Sequence, residues 1–167
     1  MTDRFHTVYG EVSEGYAGSL SRHDIVTLAS VIEKETGAPQ ERGIISSVFH
    51  NRLNKGMRLQ SDPTIIYGYW VVSGEPLKNI RKKDILNPTP YNTYTIRALP
   101  VGPIANPGRE AIKAAMFPEQ SEHLYFVSKN DGTHIFTSTY KDHQKAVRDF
   151  QLNRKAREGK SWRDLGK

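Results

Sequence analysis

The stretch Ser21–Thr36, SRHDIVTLASVIEKET, decides the fold. Ser21 followed three residues later by Asp24 is a capping-box variant, in which each side chain satisfies a backbone N–H that the first helical turn leaves without a partner. Ile25, Leu28, Ala29 and Ile32 recur at helical spacing, and Gly37 is placed to stop the run. A helix ending in Glu33-Lys34-Glu35-Thr36 follows, with an apolar stripe toward a core. At ~100° per residue, Glu35 lies about 70° from the centre of that stripe and Glu33 about 90° on its other side. Spacing alone gives Glu35 only a slight edge as the glutamate closer to the interior.

Downstream, Pro39–Asn54 carries Ile45, Val48, Phe49 and Arg52 on one stripe, with proline at its first turn and Gly56 at its C-terminal cap. The short connection makes it a packing neighbour of the first helix. Asp62-Pro63 reads as an N-cap followed by proline at the first helical position, opening a short helix through Ile65, Ile66 and Tyr67. From Val71 to Pro107 the chain is dense in Pro, Gly, Asn and Thr, with one helical piece near Lys83–Leu86, and long ordered loops are usually functional. Asn106-Pro107-Gly108 opens a helix with Ala111, Ile112 and Ala115 inward. Residues 123–127 and 133–137 flank Asn130-Asp131-Gly132, a hairpin signal in which Asp-Gly supplies the positive φ angles of the turn. Thr139 with Asp142 caps a last amphipathic helix carrying Ala146, Val147, Phe150 and Leu152. The class is α+β, mainly helical with one small antiparallel hairpin.

Upstream, residues 1–21 are rich in Gly, Ser and Thr, show no sustained period, and read as an arm or the remnant of a removed domain. The organisation is therefore an arm at 1–21, a catalytic-type domain at 22–156 and a basic tail at 157–167. The 167 residues suit one domain. Twenty-four Lys and Arg against 18 Asp and Glu give a net charge of +6, much of it in Arg81-Lys82-Lys83 and the tail from Arg154. That balance admits an acidic polymer, nucleic acid or anionic lipid as partner, but the basic residues form no nucleic-acid-binding motif. Mean hydropathy is −0.62 and no apolar run approaches the ~18–20 residues of a membrane span. The first twenty residues lack the basic-then-apolar order of a secretory signal.

With no cysteine, disulfides, thiolate metal sites and thiol nucleophiles are excluded. No serine stands in a nucleophile elbow and no glycine-rich phosphate loop occurs. His134 and His143 are nine residues apart without further ligands at metal spacing, so neither metal nor organic cofactor is expected and His134 reads as structural or substrate-contacting. The Glu33/Glu35 pair remains: a helix C-terminus disfavours an ionised carboxylate, and an apolar setting raises its pKa toward the range of a general acid. Tyr91-Asn92-Thr93-Tyr94, in the proline-rich loop, combines the aromatic faces, amides and hydroxyls that a pyranose requires, and could equally lock the loop.

Six strings then fall in one order: ASVIEKET (Ala29–Thr36), SVFHNRL (Ser47–Leu53), MRLQSDPTIIYG (Met57–Gly68), PYNTY (Pro90–Tyr94), LPVGPIANPG (Leu99–Gly108), and LYFV with HIF (Leu124–Val127, His134–Phe136). Together, over about residues 22–153, they resemble the endolytic murein transglycosylases, the YceG-like or MltG-type family. The resemblance implies a lysozyme-like helical domain and places the catalytic acid at Glu35. It puts Thr36 where lysozyme-like transglycosylases carry a serine, and likens Gln60 and Tyr91-Asn92 to their glutamine and Tyr-Asn pair. Asp62, Thr93, Tyr94 and His134 complete the expected substrate-binding set. The implied substrate is the peptidoglycan glycan strand, and the implied reaction is non-hydrolytic cleavage that leaves 1,6-anhydromuramoyl ends. The alternatives are a muramidase-type hydrolase pairing Glu35 with Asp62, and an inactive glycan-binding module. The resemblance also admits peptidoglycan synthases as partners and implies the extracytoplasmic face of the inner membrane. Family members carry an N-terminal anchor and a further extracytoplasmic domain, so this chain is expected to correspond to the catalytic domain alone.

Overall fold

The computed structural model describes residues 2–75, 77 and 79–153, so the basic tail expected at 157–167 lies outside the described residues. Seven α-helices and one hairpin occur among them: α1 (Thr2–Ser13), α2 (Arg22–Glu35), α3 (Arg42–Asn54), α4 (Asp62–Ser73), α5 (Lys82–Leu86), α6 (Arg109–Met116), β1 (Tyr125–Ser128), β2 (His134–Thr137) and α7 (Tyr140–Val147). A 3-10 turn at Pro39–Glu41 precedes α3 and a π-helical turn at Arg148–Leu152 follows α7.

Helix α2 is the axis of the fold. Its capping box forms as the sequence specifies, with the Ser21 hydroxyl accepting from Asp24 N and the Asp24 carboxylate accepting from Ser21 N. The buried set is wider than one stripe: Thr27, Ser30 and Val31 join Ile25, Leu28, Ala29 and Ile32, because α3, α4 and α6 all pack against this helix. Ser30 is tolerated there because its hydroxyl donates to Thr27 O at 2.7 Å and accepts from Ile104 N at 2.9 Å. Gly37 is not the stop. Thr36 ends the helix in extended conformation, and its hydroxyl accepts from Ala38 N at 2.9 Å.

The first 21 residues are not without regular structure. Phe5, Val8 and Tyr9 pack against the core and Val12 is buried, a spacing of three, four and seven that makes α1 amphipathic. Helix α1 packs on α6, its Glu11 pairs with Arg109, and Arg22 of α2 lies 5.5 Å from the centroid of the Tyr9 ring.

On α3 the consecutive polar residues His50, Asn51 and Arg52 face three destinations. His50 Nε2 bonds Ala115 O of α6 at 2.9 Å, and Asn51 donates to Ser121 O and His123 O at 2.8 and 3.0 Å. Arg52 Nε donates to Leu124 O at 2.6 Å. These bonds, with the Phe49–Phe126 edge contact at 5.9 Å, seat the antiparallel hairpin on α3 in the register Phe126↔Phe136 and Ser128↔His134. The hairpin loop is longer than a two-residue turn, and its positive φ angles fall on Asn130 and Gly132, with Asp131 instead accepting from Thr133. Thr139 caps α7 as expected, Ala146 is buried, and Leu152 is exposed rather than inward.

Two differences concern α4. It runs to Ser73, well beyond the short helix expected, and its N-cap is Ser61, so Asp62 is the first helical residue and its carboxylate does not cap. Proline is accommodated at either of the first two positions, and a one-residue shift in the start frees Asp62. Gly68 allows α4 to approach the loop that follows α5: a Cβ there would overlap Thr89 Oγ1 and stand 3.2 Å from Tyr91 Cβ.

Candidate active site

The C-terminus of α2, the 57–62 loop, Tyr94 and the hairpin enclose an open cleft of about 510 Å³. Glu35, Gln60, Asp62, Tyr94 and His134, five of the residues expected from sequence, line it together.

The loop is shaped by buried groups on both sides. Arg52, buried on α3, donates to Leu59 O at 2.7 Å and Arg58 O at 3.3 Å. From the other side Thr93 accepts from Ser61 N at 2.9 Å on its hydroxyl and from Gln60 N at 3.2 Å on its carbonyl. Thr64 links to the Thr93 hydroxyl at 2.9 Å and donates to Ser61 O at 2.6 Å. Held at both edges, Gln60 adopts φ 53°, a left-handed conformation costly for a residue with a Cβ and typical of functional loops. Its side chain is exposed at the cleft.

This geometry delivers the Ser61 hydroxyl to Glu35, where it donates to Oε1, while Oε2 accepts no bond from the described residues. Burial pushes the Glu35 carboxyl up from 4.5 to about 7; the Ser61 hydrogen bond opposes this, the Asp62 charge adds to it, and the Arg52 guanidinium opposes it. A carboxyl in that range holds its proton near neutrality and can give it up to a leaving oxygen. Asp62 accepts from the Tyr94 hydroxyl at 2.6 Å, and burial together with that bond pushes the Tyr94 phenol up, keeping it a donor.

Glu33 has a different employment. Its Oε1 pairs with Arg42 at 3.2 Å and its Oε2 accepts from Gly108 N at 3.0 Å, tying α2 to the start of α6. The ambiguity left by helical spacing is thus resolved by tertiary contacts, and Glu35 is the glutamate at the cleft.

Four expected binding residues do not line the cleft. Thr36 is buried in the turn after α2, where its hydroxyl serves Ala38 N, and the hydroxyl that reaches Glu35 is that of Ser61. Tyr91 packs against the core and edge-on to Tyr67 at 4.9 Å. Thr93 is buried in the loop network described above. Asn92, 1% exposed, donates to Ile85 O at 3.0 Å and Asn87 O at 2.8 Å and accepts from Tyr94 N at 2.9 Å, so it locks the chain after α5. Asn92→Ala leaves those buried groups unpaired, a loss of about 2–3 kcal/mol. At roughly 2–4 °C per kcal/mol, its melting temperature should fall by several degrees. A thermal melt unchanged by the substitution would contradict this role.

Sequence reasoning passed over Ser61, although it stands between two chosen residues, and treated Arg52 as one member of a stripe. It also missed the rim formed by Tyr140 and His143. His143 stacks on Tyr125 at 5.0 Å, and burial, followed by the Arg52 charge, lowers its pKa and favours the neutral ring. Its Nδ1 is buried without a partner among the described residues. His134 Nδ1 contacts buried Glu41 at 2.7 Å, and Glu41 also accepts from His134 N at 2.9 Å, fixing the ring at the cleft edge. No three His, Asp or Glu side chains gather as metal ligands among the described residues.

The chain is 42% identical over 138 residues to an endolytic murein transglycosylase of Bacillus subtilis (strain 168), spanning 83% of this chain and 37% of that protein. It is 33% identical over 135 residues to an endolytic murein transglycosylase of Streptococcus pneumoniae, of which it spans 24%. It thus covers about a third or less of the length of these relatives. The crystal structure of a YceG-like protein from Listeria monocytogenes superposes with a TM-score of 0.72 at 39% identity, covering 86% of this chain and 44% of that one. The YceG-like family model matches residues 1–149 and so takes in α1 as well as the cleft, and on that match the chain belongs to the YceG-like family.

Proposed function

We propose that this domain cleaves the β-1,4 bond between N-acetylmuramic acid and N-acetylglucosamine within peptidoglycan strands without water, as an endolytic lytic transglycosylase. The observation that carries the reading is a carboxyl, Glu35, whose pKa is pushed up to about 7 at an open cleft. Protonated Glu35 gives its proton to the leaving glycosidic oxygen as the C1–O bond breaks. The resulting carboxylate takes the proton of the muramoyl C6 hydroxyl while that oxygen bonds to C1, closing the 1,6-anhydro ring. One residue serves as acid and then base, and the attacking hydroxyl is already attached to the reacting sugar, an entropic advantage over water. Gln60, Tyr94, His134, Tyr140 and His143 supply the polar and aromatic surface for the glycan. The activity belongs on the extracytoplasmic side of the membrane, where its polymer lies, beside the synthases that extend the same strands.

A second reading has one observation in its favour. Asp62 does not cap α4 and lies in the same cleft as Glu35, so two carboxyls are available, as a muramidase requires. Mass spectrometry of products from a defined glycan separates the two: transglycosylation gives a product lighter by one water than hydrolysis. With Asp62 held by Tyr94, Asp62→Asn should keep the anhydro product. Because the Asp62 charge raises the Glu35 pKa, the variant should also lose activity at lower pH on the alkaline limb of its profile. A reducing muramic acid end that disappears in Asp62→Asn would establish the hydrolase instead.

A further inference from the structure

Helix α4 begins at the cleft and ends on a turn that the described residues leave largely uncovered. Trp70, Val71 and Val72 are 51, 52 and 71% exposed. Successive helical residues point ~100° apart, so with Ser73 also exposed, residues 70–73 leave most of the circumference of this turn uncovered, Tyr69 alone turning toward α5. An apolar helical surface this exposed is ordinarily buried against something. Ile66, one turn earlier, is 39% exposed, and Gly74 at φ 76° then ends the helix.

Helix α5 packs against α4, with Asp84 turned inward to a hollow it shares with Ile65 and Tyr69. Its remaining surface presents Leu86, 65% exposed, together with exposed Arg81, Lys82 and Lys83. None of those three cations is ion-paired with a described residue, and Glu75 is the exposed carboxylate nearest in sequence. Apolar side chains including a tryptophan, on a helix that packs against one carrying Lys and Arg without described ion-pair partners, are the composition of an interfacial membrane contact. A stable protein interface takes ~20–30 residues a side, far more than this small projection offers, whereas a lipid surface needs no shape match.

We propose that the end of α4 and the basic edge of α5 form a docking surface for an anionic lipid bilayer. Trp70, Val71 and Val72 enter the headgroup region, and Arg81, Lys82 and Lys83 meet lipid phosphates, each contributing about fivefold to the affinity. At ~1.5 Å per residue, the rise from Asp62 to Trp70–Val72 places Asp62 roughly 12–15 Å along the helix from the docked residues. The proposal stands apart from the catalytic reading, because lipid binding is measured without turnover.

The test uses the full chain carrying Trp162→Phe, which leaves Trp70 as the remaining tryptophan, and vesicles of phosphatidylglycerol and phosphatidylcholine at equal parts or of phosphatidylcholine alone. The expected result is a blue shift of Trp70 emission and co-sedimentation with the anionic vesicles, weakened by added salt. Val71→Asp with Val72→Asp should reduce binding by about tenfold or more, as should Lys82→Glu with Lys83→Glu, without altering the thermal melt. The basic tail is intact in every variant, so binding that persists unchanged in both double variants would overturn the proposal, as would no binding at all. Self-association in sedimentation that the Val71/Val72 double variant abolishes would assign the turn to a contact between copies, and would also overturn it.

Discussion

Glu35→Gln is expected to cut strand cleavage by about 10²–10⁴-fold, because in the proposed reaction one substitution removes both the acid and the base. The same change should raise the melting temperature at pH 8. Glu35 titrates near 4.5 in the unfolded chain and about 7 in the folded one. Between those values the unfolded state has released the proton that the folded state still binds, so stability falls as pH rises through that window. Above pH 7 the full penalty is present, about 3 kcal/mol at 1.36 kcal/mol per pH unit, and below 4.5 it vanishes. Glutamine keeps the shape and can accept the Ser61 hydroxyl without that penalty. At roughly 2–4 °C per kcal/mol, the variant should melt several degrees above the parent at pH 8 and level with it at pH 4.5. Activity of the parent should fall as pH rises through about 7, where the acid loses its proton. A variant that stays active would move the general acid elsewhere, and one that melts lower at pH 8 would mean that Glu35 is stabilised in its ionised form.

What could be read from sequence was chiefly what neighbours along the chain determine. The Ser21/Asp24 capping box and the Thr139 cap depend on groups three residues apart and formed as expected. The spacing of Phe5, Val8, Tyr9 and Val12 was equally local, but Gly10, Gly15 and the surrounding small polar residues masked it, and α1 was read as an arm. The start of α4 turned on a single residue: with Ser61 as N-cap, the Asp62 carboxylate is free to meet Tyr94. Which glutamate serves the cleft could not be local at all, since Glu33 is claimed by Gly108 N and Glu35 by Ser61, 75 and 26 residues away. Asn92 illustrates the same limit from the other side. A buried amide and a sugar-binding amide have one composition, and only the carbonyls at the end of α5 distinguish them.

Arg52→Met tests whether the cleft depends on the cation behind it. The guanidinium donates to the carbonyls of Leu124 and Leu59, lies 5.3 Å from the Tyr125 ring centroid, and is buried where those carbonyls cannot turn to water. Methionine fills much of the volume but leaves both acceptors unpaired, and the loss is about 3–5 kcal/mol, a fall on the order of 10 °C in melting temperature. Arg52 is a positioning residue: it sets the loop that presents Gln60 and Ser61, and its charge favours the ionised form of Glu35. Removing that charge should move the alkaline limb of the pH–activity profile upward, a change that loss of packing alone would not produce. Arg52→Lys separates the two effects, because an ammonium keeps the charge but cannot span both carbonyls with a rigid fork. It should therefore melt well below the parent while retaining the parental alkaline limb. An Arg52→Met protein that melts like the parent would show that Arg52 does not hold the loop, and an alkaline limb that moves down would show that its charge does not favour the ionised form of Glu35.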